Sequence, residues 1–167
     1  SASPAAICLG SSTTITGAAN TLCAGNITNF AGIYAPANWT NINNNSNGVV
    51  NAAGAPANII MNSGTNNGGL PGSTNFSKSM TCSGNMTFNW SYTHADAFGS
   101  IFDYPRYTIN GGAPVTFSGF IIGGSNIQSG TQTIPVNTGD NVELQMYTID
   151  NDAISGFITL TNFSAPD

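Results

Sequence analysis

The sequence predicts an all-β fold, a two-sheet antiparallel β-sandwich, on three observations. Met86-Thr87-Phe88-Asn89-Trp90-Ser91-Tyr92 alternates apolar and polar residues, placing Met86, Phe88, Trp90 and Tyr92 on one side of a strand. Val142, Leu144, Met146 and Thr148 repeat the pattern opposite Glu143, Gln145 and Tyr147. No stretch of useful length carries the 3.6-residue apolar period of an amphipathic helix.

The elements follow in order. Residues 1–25 form a separate segment of small residues with one short alternating piece, Ser12-Thr13-Thr14-Ile15-Thr16, and two closely spaced cysteines. They read as an N-terminal extension or extra strand, with a strand donated to a neighbouring copy as the alternative. Residues 26–167 form the sandwich domain. Its expected strands are 27–34, 57–62, 74–81, 85–93, 104–110, 114–121, 131–136, 141–149 and 155–163. Each is rich in Val, Ile, Thr, Phe or Tyr and bounded by Gly, Asn or Pro. The Asn/Gly-rich stretches 41–48 and 63–73 read as loops, since Asn and Gly accept left-handed backbone at little cost.

Composition narrows the function classes. Of 167 residues, 40% are hydrophobic but 5% charged, against about 25% charged in an average globular chain. Asn, Ser, Thr and Gly replace the missing charges and give a neutral, hydrogen-bonding surface. Such a surface suits a secreted or cell-surface protein. Lys78 and Arg106 are the two cations in a chain of net charge −5, so phosphate neutralisation and attraction to anionic lipid are both disfavoured. No nucleic-acid partner and no membrane insertion are expected. No apolar run approaches the roughly 20 residues that span a bilayer. Ser1-Ala2-Ser3-Pro4 reads as a mature N-terminus.

Three cysteines, Cys8, Cys23 and Cys82, imply one bridge and a remaining thiol or an intermolecular bond. Cys8–Cys23, closing a loop of about 15 residues worth roughly 3 kcal/mol, is expected ahead of Cys23–Cys82.

Seven carboxylates serve the chain, and four fall in two short segments: Asp96 and Asp103, then Asp150 and Asp152. Clustered oxygen ligands in loops are what calcium requires. The competing reading is that these acids cap turns or pair with Arg106.

The order of several pieces resembles CUB-like domains, particularly secreted bacterial modules. The pieces are NFAGIYAPANW, FNWSY with Asp96, and Asp103-Tyr104-Pro105-Arg106-Tyr107-Thr108-Ile109-Asn110-Gly111. They continue with the turn Ser129-Gly130-Thr131, Val136-Asn137-Thr138-Gly139-Asp140, Asp150 with Gly156-Phe157, and the end from Leu160 to Pro166. The resemblance covers about Asn29 to Pro166. It implies a CUB-like, jelly-roll type of sandwich with calcium held at one end by three acids on separate loops. Those acids would be Asp96, where such domains often carry Glu, with Asp103 and Asp150; Asp152 would assist.

Catalytic readings find little support. Ser91, His94 and Asp96 lie close in sequence, but no nucleophile elbow or oxyanion site accompanies them. Asp140 and Glu143 could suggest a glycosidase pair, yet Asp140 ends a turn and Glu143 sits on the polar side of the next strand. Trp39 and Tyr104 are the candidate ligand-binding residues for stacking on sugar. Seven Asn-x-Ser/Thr sequons occur, at Asn26, Asn38, Asn44, Asn75, Asn85, Asn89 and Asn162, where chance alone would give about five.

The expectation is therefore a non-enzymatic extracellular structural or adhesive module, a candidate self-assembling filament subunit. Its partners would be further copies, other surface proteins or polysaccharide. The alternative is a calcium-assisted carbohydrate- or protein-binding module.

Overall fold

The computed structural model describes residues 23, 25–66, 68–95, 97–98, 100–152 and 154–167. The strands in chain order are β1 (Asn26–Thr28), β2 (Thr40–Asn44), β3 (Val50–Asn51), β4 (Asn58–Asn62), β5 (Gly72–Ser79) and β6 (Gly84–Thr93). They continue as β7 (Asp103–Ile109), β8 (Val115–Thr116), β9 (Ile127–Val136), β10 (Asn141–Thr148) and β11 (Phe157–Pro166). One sheet runs β3-β4-β11-β6-β9, with β1 on the far half of β11; the other runs β2-β5-β10-β7-β8. All the pairings are antiparallel. The expected β-sandwich is what the chain forms.

Alternation decides which faces meet. Met86, Phe88, Trp90 and Tyr92 of β6 and Val142, Leu144, Met146 and Thr148 of β10 all point into the space between the sheets and are buried. Burying such side chains supplies roughly 1.5–3 kcal/mol each for the larger apolar ones. Aromatic rings fill the remainder. Phe30 stacks on Phe163 at 4.6 Å, and Phe117 and Phe120 lie beside Trp90.

Several local expectations are corrected. Trp39 is buried, 8% exposed, because the 3-10 turn Pro36–Asn38 swings its indole inward onto Phe76, 4.4 Å away and nearly parallel. Its Nε1 donates to the Tyr34 carbonyl at 2.9 Å, so it offers no stacking surface. The Asn-rich stretch taken as a loop begins with strand β2, whose five residues pair with Ser73–Ser77 of β5. Of 27–34, only the start is strand; Gly32–Tyr34 forms a 3-10 turn that buries Tyr34. Of 114–121, Val115 and Thr116 alone are extended, because Phe117 and Phe120 bend into the core.

Ser129-Gly130-Thr131, expected as a turn, lies within β9. Gly130 is needed there: a Cβ would come within 2.7 Å of the Trp90 ring. The disulfide joins Cys23 to Cys82 rather than Cys8 to Cys23, and its Cα–Cα separation of 5.7 Å lies in the usual range. Spanning 59 residues, it contributes about 4 kcal/mol in the loop-entropy treatment. Cys8, with residues 1–22 and the suggested donated strand, lies outside the described residues. A disulfide accords with an oxidising, extracellular setting.

Candidate functional site

The strand directions gather five connections at one end of the sandwich: 45–49, 63–71, 94–102, 117–126 and 149–156. Three of the predicted acids, Asp103, Asp150 and Asp152, lie here. Asp103 opens β7, is 2% exposed, and places Oδ2 2.9 Å from Nε2 of buried His94. Burial pushes its carboxyl above the usual aspartate range, against the opposing pull of the Ser63 hydroxyl, His94 and Thr148. Asp103 Oδ1 has no hydrogen-bond partner, and neither has Oδ1 of fully buried Asn151. Asp150 accepts from Thr148 Oγ1 at 3.3 Å and from the Asp152 N–H at 3.4 Å. Asp152 is exposed, and Asp96 lies outside the described residues. Among the described residues no three His, Cys, Asp or Glu side chains converge as a metal cluster.

His94 is thus the buried partner of Asp103. Ser91 sits far from that pair, on the outer side of β6 between Thr159 and Ser129, so no triad forms. Asp140 is taken up in its own turn. Its Oδ2 accepts from the Asn137 N–H at 2.7 Å and its Oδ1 from Asn110 Nδ2 at 2.8 Å, which holds its carboxyl below the usual range. Glu143 lies on a sheet surface, bonded to Gln145.

That surface, the outer face of the β2-β5-β10-β7-β8 sheet, holds the second candidate site. Register fixes its layout. One row across the strands reads Ile42, Asn75, Gln145, Arg106, Thr116; the row nearer the loop end reads Asn44, Ser73, Tyr147, Tyr104; the row on the other side reads Thr40, Ser77, Glu143, Thr108. The described residues make two layers only. Even so, Ser73, Asn75, Thr108 and Gln145 of this outer face are buried, at 4–8% exposed. They form a sunken polar floor between Ile42, which is 62% exposed, and the half-buried Tyr104, Arg106 and Tyr147.

The side chains on this floor lock one another. Arg106 lays its guanidinium 3.6 Å above the Tyr147 ring centre, and its Nε donates to Gln145 Oε1 at 2.6 Å. Gln145 Nε2 donates in turn to Glu143 Oε1 at 2.5 Å. The Tyr104 ring lies 5.2 Å from that of Tyr147. Burial, then the neighbouring Tyr147, raise the Tyr104 phenol, while Arg106 opposes them. Asn75 Oδ1 is buried without a partner. Tyr104 is the one predicted ligand-binding residue on this face. Asn75, Arg106, Gln145 and Tyr147 were not expected there as a group, although the alternations Tyr104/Arg106/Thr108 and Glu143/Gln145/Tyr147 carry the signal.

The chain matches no protein-family model and no curated protein. Solved structures similar to it include the native structure of a family 35 carbohydrate-binding module from Clostridium thermocellum, at 14% identity, over 82% of this chain and 98% of that one, with TM-score 0.40. A carbohydrate-binding module with specific mannan recognition, TmCBM27, shows 9% identity over 86% of this chain and 98% of that one, with TM-score 0.45. A module from Cellvibrio japonicus Abf62, CBM35, shows 16% identity over 76% and 97%, with TM-score 0.41. The likeness is one of outline. At these scores it carries nothing about ligand or site.

Proposed function

We propose that the chain is a non-catalytic extracellular module of CUB-like outline that binds carbohydrate on the outer face of the β2-β5-β10-β7-β8 sheet. One observation carries the reading: a tyrosine pair and a fixed guanidinium stand beside a sunken amide floor whose Asn75 acceptor is unused. Sugars present an apolar C–H face and a rim of hydroxyls. Tyrosine supplies the stacking surface for the first, at low entropic cost. Amides and guanidinium supply donors and acceptors for the second.

The test is affinity electrophoresis and a glycan array on the full chain, on Tyr147→Ala, and on Thr131→Ala as a control from the opposite sheet face. Tyr147→Ala should weaken binding about tenfold or more, and Thr131→Ala should leave it unchanged. Equal loss in both variants, or unaltered binding in Tyr147→Ala, would move the site elsewhere.

For the loop end we propose a stabilising calcium ion. The free lone pairs of Asp103 Oδ1 and Asn151 Oδ1 support it, with Asp150, Asp96 and Asp152 as further donors. Calcium accepts amide and carbonyl oxygens beside carboxylates, so fewer than three clustered acids is compatible with a site. The ion would order loops and take no part in stacking sugar.

A self-assembling filament subunit is the second reading. It is favoured by β2, an edge strand exposed at all five residues and so open to pairing with another chain. Size-exclusion profiles and electron micrographs test it; filaments that persist after deletion of residues 1–20 would reject strand donation.

A further inference from the structure

Which sugar the face selects is written in the state of Arg106. Among the described residues the one ion pair is His94–Asp103, so Arg106 has no carboxylate partner. It is one of two cations in the chain, yet it lies half-buried on the outer sheet face with its Nε bonded to Gln145 and its guanidinium over the Tyr147 ring. Stacking, that bond and a hydrogen bond to the Tyr104 hydroxyl fix the guanidinium, and they leave part of its Nη fork for a ligand. A guanidinium carries five N–H donors in a planar fork whose geometry matches a carboxylate.

We infer that the face takes an acidic polysaccharide, with the carboxylate of a hexuronate residue bound by Arg106 while the sugar ring stacks on Tyr104 beside it. This deepens, and rests on, the carbohydrate reading of the same face.

The placement of acids agrees. Glu143 is the one carboxylate in the three outward rows, and it lies in the row beyond Gln145, on the side away from the two tyrosines. Asp140 lies in the turn before β10, and Asp150 and Asp152 lie in the connection after it. At 0.15 M ionic strength the Debye length is about 8 Å, so charges at the ends of the strands are screened from the centre of the face. The net charge of −5 therefore does not decide what happens at Arg106. The Glu143–Gln145–Arg106 relay instead holds the fork in place.

The experiment is calorimetry at 0.15 M salt with matched pairs of oligosaccharides. Oligomers of galacturonate, glucuronate, mannuronate and guluronate are each compared with the carboxyl-reduced neutral form of the same length and linkage, and a sulfated oligosaccharide is added as a further anion. The proteins are the full chain, Arg106→Gln, Arg106→Lys and Glu143→Gln, each checked for an unchanged melting temperature.

A charge-assisted pair of this kind should favour at least one acid over its neutral form about 10- to 100-fold. Arg106→Gln should erase that preference, Arg106→Lys should keep part of it, and Glu143→Gln should enlarge it. Neutral forms bound as tightly as their acids across the panel would overturn the hexuronate assignment and leave the sugar-binding reading standing. Tightest binding of the sulfated oligosaccharide would replace carboxylate by sulfate and overturn it equally. No binding to any acid or neutral member would sink both readings.

Discussion

The loop end and the outer face of the β2-β5-β10-β7-β8 sheet are both rich in Asn, Ser and Thr, yet they dispose of their polar groups in opposite ways. At the loop end, connections bond to one another. The Val49 N–H donates to Asn62 Oδ1, the Thr65 N–H to Asn47 Oδ1, Asn43 Nδ2 to the Gly48 carbonyl, and Ser155 Oγ to the Ser63 carbonyl. Asn151 Nδ2 reaches across to the Asn45 carbonyl. Loops without a ladder must satisfy their backbone groups in this way. On the sheet face the ladder already serves the backbone, so side chains are released for other work. Polar composition alone therefore does not mark a site; the use already made of each polar atom does.

Tight packing gives the comparison its strongest test. A Cβ at Gly48 would overlap the Thr74 hydroxyl and the Asn62 carbonyl oxygen and come within 2.9 Å of the Ser63 carbonyl oxygen. Gly48→Ala should therefore destabilise by about 3 kcal/mol, or roughly 6–12 °C in melting temperature. Ligand affinity of the folded fraction should stay within about twofold of the parent. Calorimetric melts and a binding titration below the transition check both halves. A matching collapse of affinity would show that the loop end and the sheet face act as one unit.

Removing metal separates the same two regions more gently. EDTA should lower the melting temperature by several degrees if calcium is held at Asp103, Asn151 and Asp150, and added calcium should restore it. Sugar affinity measured well below the melt should not change. An unaltered melting curve removes the ion and leaves the sheet face untouched.

A substitution on the face should do the reverse of one in the loops. Asn75→Val deletes a buried acceptor with no partner and places a β-branched side chain in a central strand. Stability should rise by about 1 kcal/mol, some 2–4 °C, while affinity for sugar falls about tenfold. A stability loss with unchanged affinity would make Asn75 a structural residue and remove the floor from the site.

The two regions also differ in how far they can be read without coordinates. Period-two alternation gave the inward sets of β6 and β10, and by subtraction their outward sets. The polar side of β10, Glu143, Gln145 and Tyr147, was legible as a row. That it lies against Tyr104 and Arg106 depends on pairing between strands some 40 residues apart, which no local pattern encodes. Trp39 was misread for a related reason, since the Phe76 ring that covers it belongs to another strand. β2 escaped notice because Thr-Asn-Ile-Asn-Asn has weak strand propensity and is held by its registered neighbour. At the loop end the acids were visible, but His94 as the partner of Asp103 was not, because the pairing comes from the β6–β7 connection folding back on itself.

The smallest effect concerns an acid that belongs to neither region. Asp140 lies in the surface turn before β10, and its carboxyl is lowered first by the Asn137 N–H and then by Asn110. A folded-state value below the unfolded one means that the unfolded chain takes up this proton first as pH falls. The contribution is complete above about pH 3.9, the ordinary aspartate value, and is lost as pH drops through the lowered folded value. Asp140→Asn keeps one acceptor oxygen and loses the other, so it should be slightly less stable near neutrality and show a shallower loss of stability below pH 4. Urea midpoints measured between pH 2.5 and 7 decide it. Parallel acid limbs for parent and variant would mean that Asp140 is an incidental turn residue.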